Sequence, residues 1–203
     1  MNFTSKQIWL INYPVMMSVL VEQLINITDA IFLGHVGETE LGASAIAGMY
    51  YLSLYILGFG FSLGLQVMIA RRNGERRPAE TGKVFFQGLF FLTTLALSLV
   101  TLSKVFTPLI LQHLLTSTEI YEAVIQYLDW RTFGLFFAFP MLAFRAFFVG
   151  ITRTRVLTAS AITLASMNVL LNYLLIFGAG KIPALGISGA AIASTISELG
   201  GLF

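Results

Sequence analysis

The chain of 203 residues is 57% hydrophobic and only 11% charged, with a formal net charge of +2 and no cysteine. Soluble domains carry about 25% charged residues, so these charges are too few to cover a folded surface in water and exclude an ordinary soluble protein. The lack of cysteine excludes disulfides and cysteine-based metal sites, and the small net charge gives no indication of a nucleic-acid partner.

Six apolar segments follow one another when the chain is divided at its clusters of charged and turn-forming residues. Each approaches or exceeds the roughly 20 residues that a helix needs to cross about 30 Å of hydrocarbon. Membrane barrel strands would instead alternate apolar and polar residues over about 10 positions, which these segments do not. The sequence therefore predicts an all-α polytopic membrane protein, a bundle of six transmembrane helices occupying 1–203. The predicted spans are 8–33, 41–70, 84–106, 121–150, 156–177 and 185–203.

The basic residues between these spans lie mostly on one side of the membrane. That side carries Lys6, Arg71, Arg72, Arg76, Arg77, Lys83, Arg153 and Arg155. The other side carries only Lys104 and Lys181. Cytoplasmic loops of membrane proteins carry the excess of lysine and arginine, so we expect a cytoplasmic N-terminus. The localisation expected is a plasma membrane, specifically a bacterial inner membrane, crossed several times.

The first span contains three polar residues at spacings of four and three: Glu22, Asn26 and Asp29. On a helix they fall along one face. Ionisable groups inside a membrane are costly and indicate function by default. Such carboxylates must line a cavity, pair, bind a cation or take up a proton, and the last two are the chemistry of ion-coupled transport. The structural alternative is that Asp29 only caps or hydrogen-bonds a neighbouring helix.

The fifth span carries Asn168 and Asn172, four residues apart and so on one helix face. An asparagine side chain offers its oxygen to a cation and its amide N–H to a carboxylate. Hydrogen bonding between helices without any ligand explains the pair equally well. Arg131 and Arg145 lie inside the fourth span, and we expect the long side chain of Arg145 to reach the cytoplasmic surface.

Two prolines lie within predicted spans, Pro14 in the first and Pro140 in the fourth. Each removes a backbone donor and permits a kink, so both are candidate hinges, although packing explains them as well.

Catalytic motifs are not apparent in the sequence. His35 and His113 are far apart and lack the spacing of a zinc-protease motif, and neither a nucleophile elbow nor a phosphate-binding loop is present. The sequence therefore predicts a protein that is not an enzyme and has no organic cofactor.

Several segments in chain order together resemble the multidrug and toxic compound extrusion family, usually called MATE. They are Pro14 followed by DAIFLGHVG at 29–37, 41–48, ARRNG at 70–74, 144–155, NVLLNYLLIFG at 168–178 and GISGAAIAST at 186–195. The resemblance covers essentially the whole chain.

This resemblance implies a twelve-helix antiporter with two six-helix lobes around a central cavity, of which this chain would be the N-terminal lobe. The chain stops in apolar sequence at Leu202-Phe203, so we expect a partner lobe in a longer protein. Members of the family export organic, often cationic compounds in exchange for H⁺ or Na⁺. The expected partners are therefore small drug-like molecules, membrane lipids and the C-terminal lobe.

In some members of that family a cation site uses an aspartate of the first helix, polar residues of the fifth, and a hydroxyl and a carbonyl of the sixth. The matching positions here are Asp29, Asn168, Asn172, Ser194 and the carbonyl of Ala190. The resemblance thus makes Asp29, Asn168 and Asn172 the candidate sodium ligands.

Two departures from the family pattern concern charge. Asn172 stands where some relatives carry a second carboxylate, which weakens a sodium site and favours a proton as the coupling ion. Glu22 stands where the family commonly has glutamine, so part of the lost negative charge would come from the first helix.

Two other functions remain open at this point. Flippases for lipid-linked oligosaccharides share the general architecture but need a basic cavity for anionic headgroups, whereas the spans here mix two carboxylates with Arg131 and Arg145. A membrane scaffold subunit without transport activity is the second alternative.

Overall fold

The computed structural model describes residues 4–178, 180 and 183–202, with only the backbone of Gln7. Lys181 and Phe203, which entered the predictions above, lie outside the described residues. All regular structure in the described part is helical, which confirms the all-α fold class. The helices are α1 (Ser5–Val36), α2 (Glu38–Gly74), α3 (Pro78–Leu114), α4 (Thr118–Arg131), α5 (Leu135–Gly150), α6 (Arg155–Phe177) and α7 (Gly186–Gly200), with a 3₁₀ turn at Thr132–Gly134.

Five stretches of helix are long and apolar enough to cross a membrane: Ile8–Val36, Glu38–Gly74, Pro78–Leu114, Thr118–Gly150 and Arg155–Phe177. The sixth predicted span corresponds to α7, which has only 15 described residues. At 1.5 Å per residue it covers about 22 Å, short of the hydrocarbon core. The structure therefore supports a multi-pass membrane protein, in which the described residues contain five helical stretches long enough to cross the membrane.

The helix ends differ from the predicted span ends because charged residues continue the helices beyond the apolar stretches. Both α2 and α3 have 37 residues, so each exceeds its predicted span of 41–70 or 84–106. The fourth predicted span is not one continuous helix, since the 3₁₀ turn divides α4 from α5.

A single residue, Gly37, joins α1 to α2. Its N–H donates to the carbonyl of Leu33, and its own carbonyl accepts from the N–H of Leu41, both at 3.1 Å. Gly37 thus shares hydrogen bonds with both helices although its own backbone is extended, with φ 175° and ψ 163°, and α1 and α2 are joined without an intervening loop.

The two candidate hinge prolines lie inside helices, Pro14 in α1 and Pro140 in α5. The carbonyl of Pro14 accepts a hydrogen bond from the hydroxyl of Thr158 at 3.0 Å, which ties α1 to α6. This contact supports a packing role for Pro14, while hinge motion at either proline stays a prediction.

Side chains pack in two apolar clusters. The first lies between α2, α3 and α5 around the fully buried Ile69, Leu92 and Phe139. The second lies between α1, α2, α4 and α7 and includes Leu33, Val124, and the small residues of α7. Of the predicted site residues, Ala190 belongs to this second cluster.

The segment between α2 and α3 holds most of the basic residues and a small network of ion pairs. Arg72 pairs with Glu75 at 2.9 Å and with Glu80 at 3.2 Å, and Arg77 pairs with Glu80 at 3.3 Å. Hydrogen bonds from Arg72 and Arg71 lower the pKa of Glu75 because they favour its charged form. Five basic against two acidic residues between positions 71 and 83 keep the segment positive.

A groove of about 640 Å³ lies between α2 and α3. Its lining is almost entirely apolar, and it includes Gly60 and Gly64 but no residue of α1, α6 or α7. The groove is therefore separate from the candidate site described next.

Candidate functional site

The carboxylate of Asp29 lies where α1, α6 and α7 meet. One of its oxygens, Oδ1, accepts a short hydrogen bond from Nδ2 of Asn172. The other, Oδ2, accepts from the hydroxyl of Ser194 at 3.3 Å. Three helices thus contribute one side chain each to a polar contact inside the membrane-spanning part of the chain.

A second layer of hydrogen bonds connects these donors to each other. Asn172 Nδ2 also donates to Oδ1 of Asn168 at 2.8 Å, and Asn168 Nδ2 donates to the Ser194 hydroxyl at 3.2 Å. Both asparagines are fully buried and Ser194 is 6% exposed. Because buried polar groups are costly unless they are paired, this closed network specifies how the three helices fit together.

The local sequence explains the geometry. Asn168 and Asn172 are one turn apart on α6, so both face the same neighbour. Opposite them, Gly189 lets α7 approach the backbone of α6: a Cβ atom at this position would stand 2.5 Å from the Leu175 carbonyl oxygen. The Leu185 N–H also donates to that oxygen, at 2.9 Å. The close crossing of α6 and α7 brings Ser194 within reach of Asn168 and Asp29.

One polar atom in this network has no partner. Oδ1 of Asn172 is buried and accepts no hydrogen bond from the described residues. The described part of the chain contains no group of three or more histidine, cysteine, aspartate or glutamate side chains that could hold a metal ion. The oxygens around Asp29 therefore come from one carboxylate, two amides and one hydroxyl, a set suited to a proton or to a weakly held hard cation.

The remaining predicted site residues do not join the network. Ala190 is buried in α7, one turn before Ser194. Asn26 is exposed and donates only a 3.5 Å hydrogen bond to Gln23. Their roles in coupling stay predictions.

Glu22 pairs with Arg145, whose Nη1 lies 3.0 Å from Oε1 of Glu22. The expectation that Arg145 reaches the cytoplasmic surface was wrong, because a carboxylate on the neighbouring α1 satisfies its guanidinium within the spans. Glu22 is two turns away from Asp29 along α1 and hydrogen-bonds Arg145 instead.

Replacing Glu22 with glutamine tests whether this residue contributes charge to the site. Arg145 already compensates the charge of the carboxylate. We therefore expect the transport rate of Glu22→Gln to stay within about twofold of the wild-type rate at each pH, while the contact between α1 and α5 becomes weaker. Transport at several pH values, beside thermal unfolding in detergent, separates the two effects. A displaced pH profile would instead give Glu22 the coupling role that the sequence predicts.

A second group of buried charges escaped sequence reasoning. Arg131, at the end of α4, pairs with Glu198 of α7 at 2.8 Å, and their side chains are only 15% and 12% exposed. The Tyr51 hydroxyl donates to the same carboxylate at 3.1 Å, and the Arg131 guanidinium lies 3.8 Å from the centre of the Tyr51 ring. The rule that intramembrane charges indicate function could have found Glu198, which lies within the predicted sixth span.

The sequence is similar to those of known membrane proteins. Residues 14–174 match the MatE family. The probable multidrug resistance protein NorM of Agrobacterium fabrum is 28% identical over 184 residues, which are 90% of this chain and 39% of that protein. The probable multidrug resistance protein NorM of Pasteurella multocida is 26% identical over 192 residues, covering 95% of this chain and 41% of that protein. The chain therefore spans about 40% of the length of these curated relatives.

Solved structures share the fold. The outward-facing conformation of a multidrug resistance MATE family transporter of the MOP superfamily superposes with a TM-score of 0.88 at 20% identity, covering 100% of this chain and 47% of that one. The eukaryotic MATE transporter AtDTX14 superposes with a TM-score of 0.89 at 21% identity, covering 98% of this chain and 43% of that one. In each case the matched part is roughly half of a longer helical protein.

Proposed function

This chain belongs to the MatE family, and from that membership we propose that it is the N-terminal lobe of a secondary active multidrug antiporter. The complete transporter exports organic, often cationic compounds in exchange for H⁺ or Na⁺, with Asp29 as the coupling carboxylate. Its C-terminal lobe, drug-like substrates and surrounding lipids are its partners. It lies in a bacterial inner membrane with a cytoplasmic N-terminus.

The observation that carries this proposal is the position of Asp29 in a membrane-spanning helix, held by Asn172 and Ser194. A carboxylate inside a membrane needs a partner for its charge or a proton to remove it. Binding a cation in one conformation only is what allows an ion gradient to drive a conformational change.

The donors around Asp29 indicate where a proton would bind. The NH2 group of Asn172 can only donate a hydrogen bond to Oδ1 of Asp29, whereas the Ser194 hydroxyl beside Oδ2 of Asp29 can both donate and accept. Protonation is therefore easiest at Oδ2, where the Ser194 hydroxyl would turn to accept. That change breaks the donor pattern joining α1 to α7, and α1 then repacks around Pro14 as substrate leaves.

Sodium binding would use the same residues differently. The free Oδ1 of Asn172 would have to turn toward the carboxylate, with Asn168, Ser194 and the Ala190 carbonyl as further oxygen ligands. Because Asn172 brings no second negative charge to the site, we favour a proton as the coupling ion.

Charge pairing argues against the flippase alternative. Each intramembrane arginine of the described residues is paired with a carboxylate, Arg131 with Glu198 and Arg145 with Glu22. Within the described part of the fourth span, an anionic headgroup would therefore meet no uncompensated arginine, while Asp29 adds a further negative charge.

Dye or drug efflux from cells that express the complete gene product tests the proposal, with Na⁺ and pH varied separately. We expect substrate accumulation to fall severalfold on expression, and efflux to depend on one of the two gradients. Efflux that depends on neither gradient would contradict antiport. Equal substrate accumulation with and without the protein would contradict transport itself.

A further inference from the structure

We infer that Arg131 and Glu198 act as a positioning pair for the coupling site: Glu198 holds Arg131 away from Asp29 and so leaves Asp29 free to bind the transported cation. The inference rests on the proposed function of Asp29 as the coupling carboxylate. Glu198 would thus affect cation affinity indirectly, because its carboxylate contacts Arg131 and Tyr51 and does not contact Asp29.

Contacts from two helices fix the position of the Arg131 side chain. Oε1 of Glu198 lies 2.8 Å from Arg131 Nη2 and accepts a hydrogen bond from the Tyr51 hydroxyl, and the centre of the Tyr51 ring lies 3.8 Å from the guanidinium. A cation over an aromatic face is attracted by the ring in addition to its carboxylate partner. Arg131 is thus held from two directions, by α7 and by α2.

Gly134 in the 3₁₀ turn makes room for this arrangement. The two atoms of the pair without a hydrogen-bond partner, Arg131 Nη1 and Glu198 Oε2, both lie beside this glycine. A Cβ atom at position 134 would stand 2.6 Å from Arg131 Nη1 and even closer to Glu198 Oε2. The break between α4 and α5 therefore places a residue without a side chain where the ion pair needs space.

The pair is linked to the coupling site in two ways. Ser194, which donates to Asp29, and Glu198, which binds Arg131, are four residues apart and lie on the same face of α7. The hydroxyl of Thr195, the residue after Ser194, also donates at 3.1 Å to the carbonyl of Trp130, the residue before Arg131. The three charged groups therefore form one electrostatic unit.

This unit has two acidic groups and one basic group, so it lacks one positive charge when both carboxylates are ionised. While Glu198 compensates Arg131, that missing charge must be supplied at Asp29 by a proton or another monovalent cation. Without Glu198, the guanidinium becomes the counter-ion of Asp29, and the site no longer needs a cation. Nearby charges of the same sign repel a bound cation directly.

The decisive experiment compares Glu198→Gln with the double variant Arg131→Gln/Glu198→Gln in the complete gene product. We expect Glu198→Gln to weaken cation binding about tenfold or more, within the usual range of coupling between sites. The double variant removes the guanidinium as well, so Asp29 again has no positive neighbour and its cation affinity should return to within about threefold of wild type. Glu119→Gln, an exposed glutamate in the same lobe, is the matched control.

Cation binding is measured with Na⁺ alone at fixed pH and as proton uptake at fixed Na⁺, on purified protein, together with pH profiles of efflux. Unchanged affinity in Glu198→Gln would overturn the inference. A folded double variant whose cation affinity does not recover would also overturn it. If the pair were only structural, removing Arg131 in addition to Glu198 would not restore cation affinity. If Glu198→Gln does not fold, the double variant alone decides by the same criterion.

The proposed function fails separately from this inference. A wild-type protein without any cation-dependent step, or an Asp29→Asn variant that keeps it, contradicts the coupling role of Asp29. Cation dependence that is lost in Asp29→Asn but unaltered in Glu198→Gln contradicts only the positioning role.

Discussion

Replacing Asp29 with asparagine is expected to abolish the cation-dependent part of efflux. Asparagine keeps the size of the side chain, and it can accept from Asn172 through Oδ1 while its NH2 group donates to the Ser194 hydroxyl, but it can neither carry a charge nor take up a proton. Losing one partner of a buried charged contact costs about 3–5 kcal/mol, which corresponds to a loss of cation affinity of about a hundredfold or more. Efflux measured with imposed Na⁺ or pH gradients provides the test.

Asp129→Asn is the matched control for this experiment. It makes the same chemical change at an exposed carboxylate, whose partner is Lys104 at 2.7 Å, and we expect transport to remain near wild type. If Asp29→Asn retained full gradient dependence while remaining folded, the coupling carboxylate would have to be sought elsewhere in the protein.

Replacing Gly189 with valine is expected to cause the largest loss of stability. A Cβ atom there would stand 2.5 Å from the carbonyl oxygen and 2.6 Å from the carbonyl carbon of Leu175. Backbone atoms cannot turn aside as a flexible side chain can, so α7 must move away from α6. Overpacking typically costs about 1–3 kcal/mol, and we expect the upper end of that range because two helix backbones are involved.

Thermal unfolding and the yield of monodisperse protein in detergent measure this loss. Gly48→Val in α2 is the control, since a Cβ atom at position 48 meets nothing within 4 Å. The moved α7 should also separate Ser194 from Asn168, so cation dependence should weaken in whatever protein remains folded. Equal stability of the two valine variants would contradict the close crossing of α6 and α7.

The sequence predicted the Asp29 network better than it predicted the rest of the site. Polar residues in an apolar span are conspicuous because burying them in a membrane costs free energy. A spacing of four residues then places Asn168 and Asn172 on one helix face. Ser194 was reached only through the resemblance to a family, because a serine among the small residues of the sixth span fits close helix packing equally well.

Interhelical pairing could not be predicted from residue spacing. Glu22 and Arg145 are 123 positions apart, and no periodicity within either helix indicates that they meet. Glu198 was overlooked because the small residues at the start of its span suggested packing rather than charge chemistry. The division of the fourth span at 132–134 was missed for a similar reason, since only Gly134 marks it in the sequence.

Several helices extend beyond the predicted spans because the spans were divided at charges. Charge clusters mark where a helix leaves the lipid, but a helix does not have to end there. Glu38 begins α2, and Arg71 and Arg72 lie in its last turn, outside the apolar stretch that defines the span.

The connection between α1 and α2 has a consequence for how movement spreads through this lobe. With Gly37 alone between them, and with hydrogen bonds continuing on both sides of it, the end of α1 near Asp29 cannot shift without carrying the start of α2. Tyr51, further along α2, holds the carboxylate of Glu198. A displacement of the end of α1 therefore also moves the start of α2, the helix whose Tyr51 contacts Glu198, and lengthening this joint with inserted glycines would let the two helices move independently.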